Sequence, residues 1–117
     1  MLRVRIEVEA KNNLRKHYQN LCSRNPGPEY PDQWFYGVRA AIRDLAVSAA
    51  QCGPAYEDRF FAQTIRQRLF DSYKILFAIR GDTVHVLHIR HQAQDPEDLS
   101  LRNLWHRTLM AEAPDAA

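Results

Sequence analysis

The sequence has little cysteine and glycine, the residues on which zinc-finger and phosphate-loop motifs depend. Its two cysteines, Cys22 and Cys52, have no CxxC spacing, and its four glycines form no glycine-rich loop. Zinc and phosphate-loop motifs are therefore missing, and we expect free thiols and no cofactor. Long apolar runs are also missing, and the first ten residues alternate charged and apolar side chains. We therefore expect a cytoplasmic protein that is neither exported nor membrane-inserted.

The sequence also lacks a strong excess of charge. Sixteen lysines and arginines against fourteen acidic residues give a net charge of +2, too small to predict nucleic-acid binding from the total field. Any anion site must be local. A length of 117 residues with 45% apolar residues is ordinary for one globular domain. We expect a single domain over residues 1–117, with residues 110–117 as a frayed tail.

Hydrophobic periodicity predicts a strand followed by a helical hairpin. Alternation of Val4, Ile6 and Val8 with charged residues predicts a strand over 2–8. Apolar residues then recur at helical spacing, which predicts a helix over 9–23.

A loop and a second helix are expected next. Three prolines and a glycine in residues 23–31 predict a loop. Asp32 can cap a helix over 32–51. Its apolar stripe is Trp34, Val38, Ala41, Ile42, Leu45 and Ala49.

The second half of the sequence is typical of antiparallel strands. β-Branched and aromatic residues predict strands near 72–79 and 84–90, with a weaker one near 63–69. Gly81-Asp82 suits a type II′ turn. That turn pairs Arg80 with Thr83, Ala78 with His85, Leu76 with Leu87 and Lys74 with Ile89. The helices would cover Tyr73, Ile75, Phe77, Ile79, Val84 and Val86, and the open face would carry Lys74, Arg80, His85 and His91.

A short C-terminal helix completes the predicted fold. Asp95 can cap it and Pro96 can occupy its first position. Its apolar stripe is Leu101, Leu104, Trp105, Thr108 and Leu109. The pattern indicates a small α+β domain in which the sheet packs on a helical hairpin.

Residues 65–95, IRQRLFDSYKILFAIRGDTVHVLHIRHQAQD, resemble the C-terminal half of RelE/ParE (plasmid stabilisation) toxins. In that family an arginine-bearing strand precedes a Tyr-Arg-Ile-Leu-Tyr-like strand, a hairpin and a Val-x-Val-Leu-x-Val-Arg-His strand. Residues 41–45, Ala-Ile-Arg-Asp-Leu, resemble its Ala-Ile-x-x-Leu step. The resemblance covers most of residues 2–95.

The resemblance implies the toxin of a type II toxin–antitoxin system, neutralised by a cognate antitoxin. RelE-like members are endoribonucleases (mRNA interferases) that cut messenger RNA on the ribosome, whereas ParE-like members poison DNA gyrase and are not enzymes. The small net charge, and the absence of a tyrosine after the final strand, favour the second mode. His91 and the arginines favour the first. A non-toxic protein-binding module that keeps the toxin fold is the alternative.

RNA cleavage would require an acid, a base and cations around one phosphate. Arg90 matches the arginine of the family's last strand, and Lys74 stands where the family usually has arginine. Arg66, Arg90 and Lys74 could clamp the phosphate, and His91 could be the acid or base. Arg68 and Arg80 are candidates for binding RNA or the target.

Two structural alternatives apply to these residues. Arg66, Arg68 and Arg90 could instead form ion pairs with Glu57, Asp58 or Asp71. His85, His88 and His91 are spaced like metal ligands, but on a regular strand His88 points away from the other two, which lie ~20 Å apart. We therefore expect no metal site.

Overall fold

The computed structural model describes residues 1–24, 29–60 and 64–92, in which two helices cover one side of a four-stranded sheet. Strand β1 (Arg3–Ile6) leads into helices α1 (Val8–Arg24) and α2 (Glu29–Ser48). Two 3-10 helices follow, at Ala49–Gln51 and Tyr56–Phe60, and then β2 (Arg66–Phe70), β3 (Tyr73–Arg80) and β4 (Thr83–His91). The predicted α+β class is confirmed. The predicted C-terminal helix and tail lie outside the described residues.

Helix α2 begins earlier than the sequence predicts. It starts at Glu29, so Pro31 lies in its first turn and Asp32 is not its cap. Proline is tolerated there because the first N–H groups of a helix have no acceptor within the helix. Asp32 instead accepts a hydrogen bond of 2.5 Å from the Tyr18 hydroxyl of α1, which links the two helices of the hairpin.

The sheet is mixed, with the strand order β1-β4-β3-β2. Strands β2, β3 and β4 are antiparallel, as predicted, and β1 pairs with β4 in parallel. A parallel neighbour requires a long crossover, and α1 and α2 lie within this one. The first strand thus lies beside the last, which makes β4 a central strand.

Both turns of the antiparallel part contain a residue with positive φ. Gly81 has φ +58° and Asp82 is not in the left-handed region, as the predicted type II′ turn requires. Asp71, between β2 and β3, has φ +54°, which aspartate tolerates better than most residues. Its carboxylate accepts a hydrogen bond of 2.9 Å from Tyr30, tying this turn to the start of α2.

The main core lies between the helices and the sheet. Every residue of the stripe predicted for α2 is buried, from Trp34 to Ala49. The strand residues predicted to face the helices also belong to this cluster. Gly37 allows the closest approach, because a Cβ there would lie only 2.5 Å from Cζ of Phe70.

Beyond the end of β1, side chains of α1 replace it as hydrogen-bond partners of the β4 backbone. On this edge of β4, the last backbone hydrogen bond is donated by the Glu7 N–H to the Val86 carbonyl, at 3.0 Å. Beyond it, Asn13 Oδ1 accepts from the Ile89 N–H at 3.0 Å, and His17 Nε2 lies 3.0 Å from the Ile89 carbonyl. Asn13 and His17 are one helical turn apart, so both reach the same strand residue. The helix thereby satisfies backbone groups that would otherwise lack partners.

Neither helix among the described residues has the length and apolar character needed to cross a bilayer. Cys22 and Cys52 are free, as expected.

Asn13→Ala should destabilise the fold by about 1–3 kcal/mol, because it leaves the Ile89 N–H without its acceptor. Asn12→Ala is the matched control, since the neighbouring Asn12 is exposed and the change in helix propensity is the same. Urea unfolding of both variants measures the difference. Equal stabilities would show that the Asn13 side chain does not support β4.

Candidate functional site

The two faces of the sheet have different surroundings. One face, the helix side, contacts α1 and α2 through the main core. The other, here called the outer face, contains a second apolar cluster in which Leu76, Ala78 and Leu87 contact Ala55 and Ile65. Lys74 and Arg80 share the outer face by strand alternation. Both are half-buried.

A bulge in β4 decides which face each later residue occupies. Ala78 pairs with His85 and Phe77 with Val86, but Leu76 pairs with His88. Leu87 is therefore an extra residue on β4. The predicted pairs Arg80–Thr83 and Ala78–His85 are confirmed, whereas Leu76–Leu87 and Lys74–Ile89 are wrong. Lys74 pairs with Arg90.

The bulge also reverses the predicted placement of two histidines. His88 lies on the outer face with His85, not opposite to it. His91 pairs with Tyr73 and contacts its ring at a centroid distance of 5.2 Å, so it lies on the helix side rather than the open face. Among the described residues no three histidine, cysteine or acidic side chains are close enough to hold a metal ion.

Arg66 lies on the helix side and serves the backbone. Its Nη1 donates to the Cys52 carbonyl at 2.6 Å and to the Ala50 carbonyl at 3.5 Å. These carbonyls lie at the end of the 3-10 helix that follows α2, where acceptors lack partners within the helix. Arg66 therefore caps this 3-10 helix. Its role is structural, but it is not the ion pair that was considered from the sequence.

Arg68 also lies on the helix side, where it forms an ion pair with α2. Its Nη1 is 2.5 Å from Asp44 Oδ2 and 3.3 Å from Ser48 Oγ. The hydrogen bond from Arg68, supported by Ser48, lowers the pKa of the Asp44 carboxyl. The sequence allowed two roles for Arg68, binding of RNA or the target and an ion pair with Glu57, Asp58 or Asp71. The structure shows an ion pair, but its partner is Asp44. Asp58 accepts from the Ile65 N–H instead, at 2.7 Å.

Arg90 is the largest completely buried side chain among the described residues, with 0% exposure. Its register partner is the half-buried Lys74. Two cations side by side across a strand pair repel each other, and a buried guanidinium is costly. A side chain with no exposed surface cannot contact an external phosphate in this conformation.

His91 belongs to an aromatic cluster at the end of the helix side. Tyr73 lies at its centre, with His17 and Trp34 each 4.9 Å away between ring centroids. Burial lowers the pKa of His17, with smaller effects from His91 and Lys16, although the bond to the Ile89 carbonyl acts in the opposite direction. This cluster fixes the imidazoles by ring packing.

The outer face contains a buried pair that the sequence did not indicate. His85 Nδ1 lies 3.0 Å from Glu7 Oε1, and both residues are buried. Arg5 Nε is 3.2 Å from the same oxygen. The only sequence signal was an acidic residue at the predicted end of β1. The pair ties the junction of β1 and α1 to β4.

The candidate residues therefore do not converge. Lys74, Arg80 and Arg90 lie on the outer face, whereas Arg66, Arg68 and His91 lie on the helix side.

Comparison with known proteins gives the family. A sequence profile described as "ParE toxin of type II toxin-antitoxin system, parDE" matches residues 4–96.

The chain belongs to the ParE toxin family.

A solved structure described as "Chromosomal ParDE TA system from P. aeruginosa" has the same fold. Its TM-score is 0.65 at 17% identity, and the match covers 78% of this chain and 96% of that chain. At this identity the likeness supports the fold alone. A search of curated proteins found no match. The RelE/ParE resemblance inferred from residues 65–95 is thus confirmed and narrowed to ParE.

Stability of this ParE-family chain should fall with acidification through His88. Burial, followed by the charges of Arg90 and His17, lowers the pKa of His88 to about 3 from an ordinary 6.5. The unfolded chain then binds the proton more readily, so the contribution to stability is present above pH 6.5 and is lost as pH falls toward 3. Over this range the free energy of unfolding should fall by up to about 1.4 kcal/mol for each pH unit.

Unfolding free energies of the wild type and His88→Gln between pH 7 and pH 5 test this expectation. Every other titratable group is common to the two proteins, so the difference in slope reports His88. The variant should have the shallower slope. Equal slopes would mean that His88 accepts a proton in the folded protein as easily as in the unfolded chain.

Proposed function

We propose that this protein is the toxin of a type II toxin–antitoxin pair and that it poisons DNA gyrase rather than cleaving RNA. The observation that carries the proposal is the distribution of the candidate nuclease residues over both faces of the sheet. Membership of the ParE family supports the same target. The protein would act in the cytoplasm as one domain over residues 1–117.

Cleavage through a ribose hydroxyl requires an acid, a base and cations within hydrogen-bond distance of one phosphate. Here His91 and Arg66 are separated by the sheet from Lys74 and Arg90. Arg66 is bound to backbone carbonyls and Arg90 has no exposed surface. A poison that acts by binding needs no such constellation, so this geometry favours the gyrase mode.

A cognate antitoxin is the second part of the proposal. A toxin that acts by binding is neutralised when another protein covers its contact surface. A partner segment that orders on binding can cover a large area at modest affinity per unit area, which suits reversible control.

Induction of this protein without its partner should arrest bacterial growth and trap gyrase on broken DNA. Messenger RNA should remain intact, because the candidate nuclease residues of the described part of the chain do not come together. Gyrase-linked DNA breaks and the ends of cellular messages are measured together after induction, and co-expression of the adjacent gene should restore growth. Ribosome-dependent cuts without DNA breaks would replace the proposal with RNA cleavage. Normal growth at high soluble expression would favour the non-toxic binding module.

His91→Ala should keep its toxicity, because a gyrase poison transfers no proton. Loss of a general acid or base lowers a rate by about 10²–10⁴-fold, so the two modes give clearly different results. Growth inhibition is measured at matched soluble levels, and a thermal melt shows whether loss of the Tyr73 contact has destabilised the fold. A folded variant without toxicity would restore His91 as a catalytic candidate.

A further inference from the structure

The buried side chains of the outer face form a narrow band along β3 and β4. Each of them is at most 8% exposed: Leu76, Ala78, His85, Leu87, His88 and Arg90. On the flanking strands Arg5 of β1 and Leu69 of β2 occupy the same face and are exposed. The buried band is therefore about two strands or 10 Å wide, and about 17 Å long from His85 to Arg90.

A layer of chain must exclude water from this band. Among the described residues, its apolar cluster gains Ala55 and Ile65 from outside the strands, and two side chains reach only part of its length. Residues 25–28, 61–63 and 93–117 complete the chain. The first range connects the helices on the opposite side of the sheet, and the second has three residues. Residues 93–117 are the range long enough to cover the band.

The sequence of residues 95–109 has the pattern that such a cover needs. At helical spacing its apolar stripe lies on one side, whereas Asn103 and Arg107 lie on the opposite side. A helix of this length is about 22 Å long and about 10 Å wide, which matches the dimensions of the buried band.

We infer that residues 95–109 lie as a helix along β3 and β4 on the outer face, with Leu104 and Trp105 against Leu76 and Leu87. The buried band is covered within a single chain, so the occupant is this segment rather than a second copy. Strand β4 ends at His91. The residues between it and Asp95 span about 10 Å, which is the distance between packed layers.

Charge complementarity fixes the direction of the segment. Glu97 and Asp98 precede Leu101 by one turn, so they lie on the same side as the apolar stripe. A segment that folds back from the end of β4 brings these carboxylates over Arg90 and Lys74, which pair across the strands at that end. A buried guanidinium is stabilised by a carboxylate partner, and the same carboxylates offset the repulsion between the two cations.

The cover belongs to this chain in addition to the toxin domain. The family profile ends at residue 96, whereas the apolar stripe begins at Leu101. With the segment in place, Arg90 and Leu87 are closed to external ligands. The inference concerns the fold, so it does not depend on whether the target is gyrase.

NMR of the full-length protein tests the contact directly. The Trp105 indole should show nuclear Overhauser effects to the methyl groups of Leu76 or Leu87. A mixture of isotopically labelled and unlabelled chains distinguishes contacts within one chain from contacts between two. Effects that occur only between chains would replace the intramolecular cover with an exchanged segment in a dimer. Absence of any effect between Trp105 and these leucines would overturn the inference.

A pair of double variants tests the energetic contribution of the stripe. Leu104→Ala with Trp105→Ala should lower the melting temperature by at least ~5 °C, because large apolar side chains lose their burial. The matched control, Asn103→Ala with Arg107→Ala, alters the opposite side of the same segment and should melt close to the wild type. Equal melting temperatures for the two double variants would show that the stripe does not pack on the sheet. If the stripe variant does not fold, the Trp105 contacts of the wild type still decide the case.

Discussion

The pairing of β4 along both of its edges is the constraint on which the rest of this structure depends. β3 occupies one edge for the full strand, and β1 occupies only the first half of the other. Asn13 and His17 of α1 then bind the backbone of Ile89. Unpaired backbone groups in a core are costly, so these bonds fix the position of α1 over the sheet.

The arginines of this chain show how a cation can be retained for the fold rather than for chemistry. Arg66 binds carbonyls at the end of a helix, and Arg68 pairs with Asp44 and Ser48. Arg66 thereby connects the edge strand β2 to the 3-10 helix that follows α2, and Arg68 connects β2 to the end of α2. A truncation at either position would therefore lower stability, and a loss of toxicity alone would not identify a catalytic group.

The surroundings of the described histidines agree with the proposed action by surface contact. Three of the described histidines have internal partners: His17 contacts the Ile89 carbonyl, His85 contacts Glu7 and His91 contacts the Tyr73 ring. Burial keeps His88 neutral near pH 7. A toxin that works by binding, and that is silenced by binding, has no need of a poised acid or base.

The sequence alone determined the fold class, α1, α2 and most of the strands, because apolar periodicity and turn residues act locally. The buried stripe of α2 and the Gly81-Asp82 turn were correctly predicted for this reason. Family membership was also readable from residues 65–95. Only the tertiary structure decided the side-chain positions. One extra residue at Leu87 moved His91 to the helix side and brought Arg90 opposite Lys74, because a bulge reverses the alternation of every residue after it. The contact of Glu7 was equally hidden, since its partner His85 lies far away along the chain and meets it only when β1 pairs with β4.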